Sequence, residues 1–257
     1  MFEIITRDNI GLCNILKSII TYSSLGDTVI TDFNNTITTI LDDKYIKNTQ
    51  ENTTPVFTWR FLLLRTESEQ KNFSTEFDFD SYRGDLFITD KYIDLCYDRS
   101  FICESVKNRI LNIINSIEYN KEFIDIVNDF KNNMKKENSL AITLRTWKAS
   151  HEKNINRPYN FNDFKNMIID VCNNNKVDII YISIDNMEYI QEYLDLLKTL
   201  NQDYIILNNS SLNHIQNSLY KLLILSQCTY LIGNRISSYT ELIFWFSNLK
   251  IIPFVLY

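Results

Sequence analysis

The chain has 257 residues, is 45% hydrophobic, and carries a formal net charge of -6 at pH 7 with a pI near 5.1. That length holds one large domain or two small ones, and the composition is apolar enough for a full core. The acidic balance argues against a general nucleic-acid binder, which shows a basic face, but leaves room for a local pocket for phosphate-bearing small molecules.

Phe2 to Thr6 reads as a strand, followed by a turn at Asp8-Asn-Ile-Gly11. A helix is expected from about Leu12 to Ser24, with Leu12, Ile15, Leu16, Ile19 and Ile20 at helical spacing. Thr28 to Thr31 reads as a second strand, and the polar run 42–55 as a surface loop. Signals from Val56 to Leu95 are mixed, after which Ser100 to Ile117 and Lys121 to Lys136 read as helices. The polar run Lys131 to Asn138 is the expected boundary, giving domains 1–137 and 138–257.

The second half is more regular. Strands are expected at 138–145, 177–183, 203–207, 228–232 and 250–255, and helices at 161–175, 187–200, 212–227 and 237–247. Strict alternation of this kind specifies a parallel sheet wrapped by helices, with right-handed crossovers. Ligands of such sheets sit beyond the carboxyl ends of the strands, so the residues just after each strand are the candidates for chemistry.

Five cysteines (Cys13, Cys96, Cys103, Cys172, Cys228), an odd number with no CxxC pair, fit reduced thiols in the cytoplasm better than a disulfide framework. With only His151 and His214 in the chain, a zinc site of ordinary Cys/His spacing is not expected. The first residues lack a signal-peptide layout, and no apolar run is long enough to span a bilayer.

One constellation stands out: Thr143-Leu-Arg-Thr-Trp-Lys-Ala-Ser-His-Glu152, which leaves a buried strand and enters a loop. An arginine there can grip a diphosphate bidentately and stabilise charge on a departing one. Glu152 or His151 could take a proton from a hydroxyl, and Lys148 could pair with phosphate or tune that base. Trp147 could stack on a sugar ring. Arg145 and Lys148 in ordinary surface ion pairs is the plainer alternative. Asp185 ends a second strand, where it could face a nucleotide or cap the next helix. After the strand ending at Ile232 come Gly233, Arg235, Ser237, Ser238 and Glu241; serines and amides at a helix start form a phosphate cradle, or simply a cap. Near the amino terminus, Gly11, Asn14 and Lys17 follow the first strand in what could equally be an ordinary strand-to-helix turn. Asp78-Phe-Asp80 is an Asp-x-Asp, which in some transferases holds a divalent metal.

Together these segments resemble the fucosyltransferases of GT-B type. In that family a strand ends in His-x-Arg followed by Lys and Glu; Arg145, Lys148 and Glu152 match with one residue deleted, while Thr143 replaces the histidine and the second arginine is missing. The run Leu222 to Glu241 resembles the family's helix-strand-loop-helix, Val177 to Asn186 its acidic strand end, and Asp8 to Lys17 its first turn. The resemblance implies an α/β, GT-B-like fold of two Rossmann-like domains facing a cleft. It implies transfer of a sugar, fucose from GDP-fucose, to a glycan or protein hydroxyl, without metal and with inversion. Arg145, Lys148, Asp185, Arg235, Ser237, Ser238 and Glu241 would bind the donor, with Arg145, Glu152 and His151 catalytic. Gly11, Asn14, Lys17 and Trp147 would face the acceptor. No cofactor beyond the donor substrate, and no nucleic-acid partner, is implied. The alternatives are a non-catalytic nucleotide- or glycan-binding module and a metal-dependent transferase using Asp78 and Asp80.

Overall fold

The computed structural model describes residues 2–6, 12–23, 28–32, 39–41, 54–56, 104–144, 161–185, 187, 190–234 and 237–256. The chain divides into two compact units, Met1–Asp129 with Asn213–Leu219, and Phe130–Leu212 with Tyr220–Tyr257.

In the first unit, β1 (Phe2–Thr6) lies between β2 (Thr28–Asp32) and β3 (Thr54–Val56), both parallel to it. Helix α1 (Leu12–Ser23) connects β1 to β2, and its expected stripe of Leu12, Ile15, Leu16, Ile19 and Ile20 is buried. Strand β3 corrects the expectation of a loop through residue 55. Thr54 and Val56 favour extended backbone, and Pro55, which has no N–H to donate, sits opposite Glu3. Helix α2 (Glu104–Ser116) buries Ile110 and Ile114. Helix α3 (Lys121–Asn133) starts where the Asn120 side chain accepts the Glu122 and Phe123 amides, at 3.0 and 3.4 Å, which is N-capping. It stops at Asn133, within the polar run read as a boundary.

The second unit holds five parallel strands in the order β6-β5-β4-β7-β8: β4 (Ser139–Leu144), β5 (Ile179–Ile184), β6 (Tyr204–Ile206), β7 (Tyr230–Asn234) and β8 (Ile252–Leu256). They alternate with α4 (Phe161–Asn174), α5 (Ile190–Thr199), α6 (His214–Leu225) and α7 (Ser238–Phe246). All of β4 and nearly all of β5 are buried, as strands covered on both faces must be, which is why they read as apolar runs rather than alternating ones. Their core includes Leu140, Ile142, Ile180, Ile182 and Ile232, with Phe164, Ile168, Tyr193 and Leu197 from α4 and α5.

The expected alternation is observed, but several elements begin later than their apolar runs. Val177 and Cys228 are spent in turns, their amides bonding Asn175 and Leu225 carbonyls at 2.8 and 3.1 Å, so β5 and β7 begin further along. Helix α6 begins at His214 rather than Leu212 because Asn213 and Gln216 form a reciprocal capping box: the Gln216 amide donates to the Asn213 side chain at 2.8 Å, and the Asn213 amide to the Gln216 side chain at 3.0 Å. Met187 is 55% exposed, outside the buried stripe of Ile190, Tyr193, Leu196 and Leu197 on α5.

Candidate functional site

In the second unit the first strand in sequence, β4, lies between β5 and β7, so connections diverge from it to the two sides of the sheet. Such a switch point opens a crevice beyond the carboxyl ends of the strands. In the sequence Leu144 is followed by Arg145 and Asn234 by Arg235.

The last buried level before that edge is built of small residues. Thr143 pairs with Ser183 on β5 and with Gly233 on β7. Thr143 is 5% exposed and Ser183 8%. Thr240, from the first turn of α7, packs over Gly233 and is fully buried. A bulkier layer would hold α7 off the sheet; this one lets the start of the helix approach the ends of β4 and β7.

The amino terminus of α7 borders this edge. The Ser237 amide donates to the Asn234 carbonyl at 3.1 Å, and the first helical bond runs from the Glu241 amide to the Ser237 carbonyl at 3.0 Å. Ser237 occupies the N-cap position with φ -78° and ψ 119°, yet its side chain makes no capping hydrogen bond. Ser237 is therefore an N-cap by position and by its carbonyl, but not through its side chain. A helix leaves its first amides outside its own ladder and carries partial positive charge there, which suits an anion. Behind this turn, every residue from Thr240 to Phe246 is buried, so the helix is fixed from all sides.

The sequence-derived candidates fall into three groups. Ser237 and Ser238 lie at the start of α7, and Asp185 is exposed just beyond the carboxyl end of β5. Glu241 and Lys17 are both fully buried, Glu241 inside α7 and Lys17 on α1. Arg145, Trp147, Lys148, His151, Glu152, Arg235, Gly11, Asp78 and Asp80 lie outside the described residues, as does the side chain of Asn14 on α1. The Thr143–Gly233–Thr240 contact was not foreseen, although a glycine within a buried strand, in a chain with only four, signals a close approach.

Three groups with shifted titrations lie at the opposite, amino-terminal side of the sheet. Hydrogen bonds from Lys135 and Asn138 hold the Asp178 carboxyl below its ordinary range, with the Lys135 ion pair at 3.1 Å. Burial pushes the Cys228 thiol up to about 12 and the Cys172 thiol to about 11. They lie away from the carboxyl ends of the strands. Among the described residues no cluster of three or more His, Cys, Asp or Glu side chains could hold a metal ion, and no helix is long and apolar enough to cross a membrane.

No family model and no curated protein matches the sequence. Solved structures do match. POFUT1 in complex with GDP-fucose aligns with a TM-score of 0.53 at 9% identity, covering 99% of this chain and 97% of that one. NodZ, an alpha-1,6-fucosyltransferase soaked with GDP-fucose, aligns at 0.51 and 12% identity over 97% and 92%. NodZ from Bradyrhizobium aligns at 0.53 and 10% identity over 97% and 93%. At these identities the likeness is one of fold. The chain has the α/β fold of the GT-B fucosyltransferases, as the sequence motifs implied.

Proposed function

We propose that the chain is a glycosyltransferase of fucosyltransferase type that binds a nucleotide-sugar donor, GDP-fucose, beyond the carboxyl ends of β4 and β7. The observation that carries this is the start of α7, a buried helix whose N-cap serine makes no side-chain capping bond, set at the switch point of a fold shared with enzymes crystallised with GDP-fucose. Ser237, Ser238 and the first amides of α7 hold the diphosphate. Arg145, following β4 directly in the chain, neutralises charge on it, with Lys148 and Arg235 adding to the positive field and Asp185 at the nucleoside. Glu241 supports the turn from its buried position. Residues 138–257 form the donor domain and residues 1–137 the acceptor side, where Gly11, Asn14 and Lys17 belong; Trp147 stacks on a sugar.

Glu152 takes the proton of an acceptor hydroxyl, with His151 as the alternative base. The hydroxyl oxygen attacks the anomeric carbon, the bond from that carbon to the β-phosphate oxygen breaks, and GDP departs with the bonding pair, inverting the centre. Arg145 and the helix terminus stabilise the leaving diphosphate, so no metal is required. The test is release of GDP from GDP-fucose with and without glycan acceptors. Wild type releases GDP slowly alone and faster with acceptor, and Glu152→Gln loses the acceleration; full transfer by Glu152→Gln removes Glu152 from this role.

A second reading is a non-catalytic nucleotide-binding module. It is favoured by Thr143, which stands where the resemblance expects histidine and is 5% exposed and packed against Gly233. Nucleotide binding without any donor hydrolysis would select it. Transfer abolished by chelator would instead select a metal-dependent route through Asp78 and Asp80.

A further inference from the structure

We propose that Gly233 is a positioning residue for the diphosphate site, setting how closely the first turn of α7 docks on the ends of β4 and β7; this rests on the donor reading above. A Cβ at Gly233 would lie 2.6 Å from Thr240 Cγ2, 2.7 Å from Thr240 Oγ1 and 2.8 Å from Thr143 Cγ2. Real Cβ atoms do not approach other heavy atoms that closely, and ordinary contact begins near 3.4 Å. Gly233 is a paired residue of β7, in register with both Thr143 and Val255. What the position requires is empty space.

The direction of displacement follows from the packing. An alanine methyl would have to move Thr240 by about 0.8 Å, the difference between 3.4 and 2.6 Å, and Thr143 by about 0.6 Å, the difference between 3.4 and 2.8 Å. Neither neighbour can swing aside freely, because Thr240 is fully buried and Thr143 is 5% exposed. Interiors this close-packed pass such strain into the backbone. The two backbones affected are the ones the site depends on. Thr240 lies in the first turn of α7, beside Ser237 and Ser238, and Thr143 lies near the end of β4, from which the chain runs on to Arg145. Displacements near 1 Å in positioning elements can cost about two orders of magnitude in function. The loss should fall on phosphate recognition, because the displaced groups are the phosphate-binding ones, and should spare contacts to the nucleoside.

The test is calorimetric titration of GDP and of guanosine into wild type, Gly233→Ala and the triple variant Gly233→Ala/Thr143→Ser/Thr240→Ala, which deletes all three obstructing atoms. The expected result is a loss of GDP affinity in Gly233→Ala of tenfold or more, a change in guanosine affinity below about threefold, and recovery of GDP binding in the triple variant. A purely structural glycine would weaken both ligands alike. Equal losses for GDP and guanosine, no loss for either, or no recovery in the triple variant would overturn the proposal. If Gly233→Ala does not fold, a triple variant that folds and prefers GDP over guanosine as wild type does supports it, and one that fails to do so overturns it. Wild type that binds neither ligand would refute the donor reading and this proposal with it, an outcome distinct from wild-type GDP binding that Gly233→Ala leaves intact.

Discussion

Replacing Thr240 with valine should make the protein more stable. Thr240 is fully buried, and its hydroxyl has no hydrogen-bond partner among the described residues. A buried hydroxyl left in that state costs about 1–3 kcal/mol in desolvation. Valine keeps the methyl that packs over Gly233 and exchanges the hydroxyl for a second methyl. The added bulk subtracts up to about 1 kcal/mol where packing is already tight. The net expectation is a gain of about 1 kcal/mol, or a rise in melting temperature of about 2–4 °C for a chain of this size. Thr240→Ser is the companion: it keeps the hydroxyl, discards the packed methyl, and should lose about 1 kcal/mol. Urea denaturation with matched m-values reads both. Thr240→Val less stable than wild type by about 1 kcal/mol or more would mean that the hydroxyl is satisfied, and that α7 is held by a polar bond rather than by shape.

Other consequences follow from the same packing. Ile142, fully buried in β4, should cost about 2–5 kcal/mol when cut to alanine, seen as a lower urea midpoint; a cost under about 1 kcal/mol would contradict its central place in the core. The Tyr181 hydroxyl accepts the Lys135 amide at 3.1 Å and donates to the Lys135 carbonyl at 3.2 Å, so Tyr181→Phe should cost about 1 kcal/mol without changing nucleotide affinity, checked by denaturation and titration. Burial raises the Cys172 and Cys228 thiols to about 11 and about 12. Because the folded pKa lies above the unfolded one, their contribution to stability is full below about pH 8.5 and is lost as pH rises toward those values. Melting temperature should therefore fall across that alkaline window, and Cys228→Ala should flatten the fall.

The second unit was readable from sequence because its central strands are buried on both faces, so each of β4, β5 and β7 contains an apolar run, and turn chemistry separates them from amphipathic helices. What shifted the boundaries was local and polar. The Asn213–Gln216 box was present in the sequence, but the apolar run beginning at Leu212 masked it. Strand β3 was missed because Pro55 follows a long polar stretch, and only pairing with β1 makes three residues there a strand. At the site, the serines before α7 were legible as a phosphate cradle or a cap, and the geometry speaks against side-chain capping at Ser237. The small layer of Ser183, Thr143 and Gly233 was hidden for a different reason. It exists only across strands, in the register that pairs residues far apart in the chain. Burial likewise cannot be read from residue type alone: Lys17 and Glu241 are charged residue types, yet both are fully enclosed.

The most direct test of nucleotide-sugar binding beyond β4 and β7 is calorimetric titration of GDP-fucose and GDP, in EDTA, into wild type and Arg145→Ala. Binding by wild type that survives EDTA and weakens tenfold or more in Arg145→Ala is the predicted result. Absence of binding by any nucleoside diphosphate or its sugar conjugate, or equal affinity in Arg145→Ala, would contradict it.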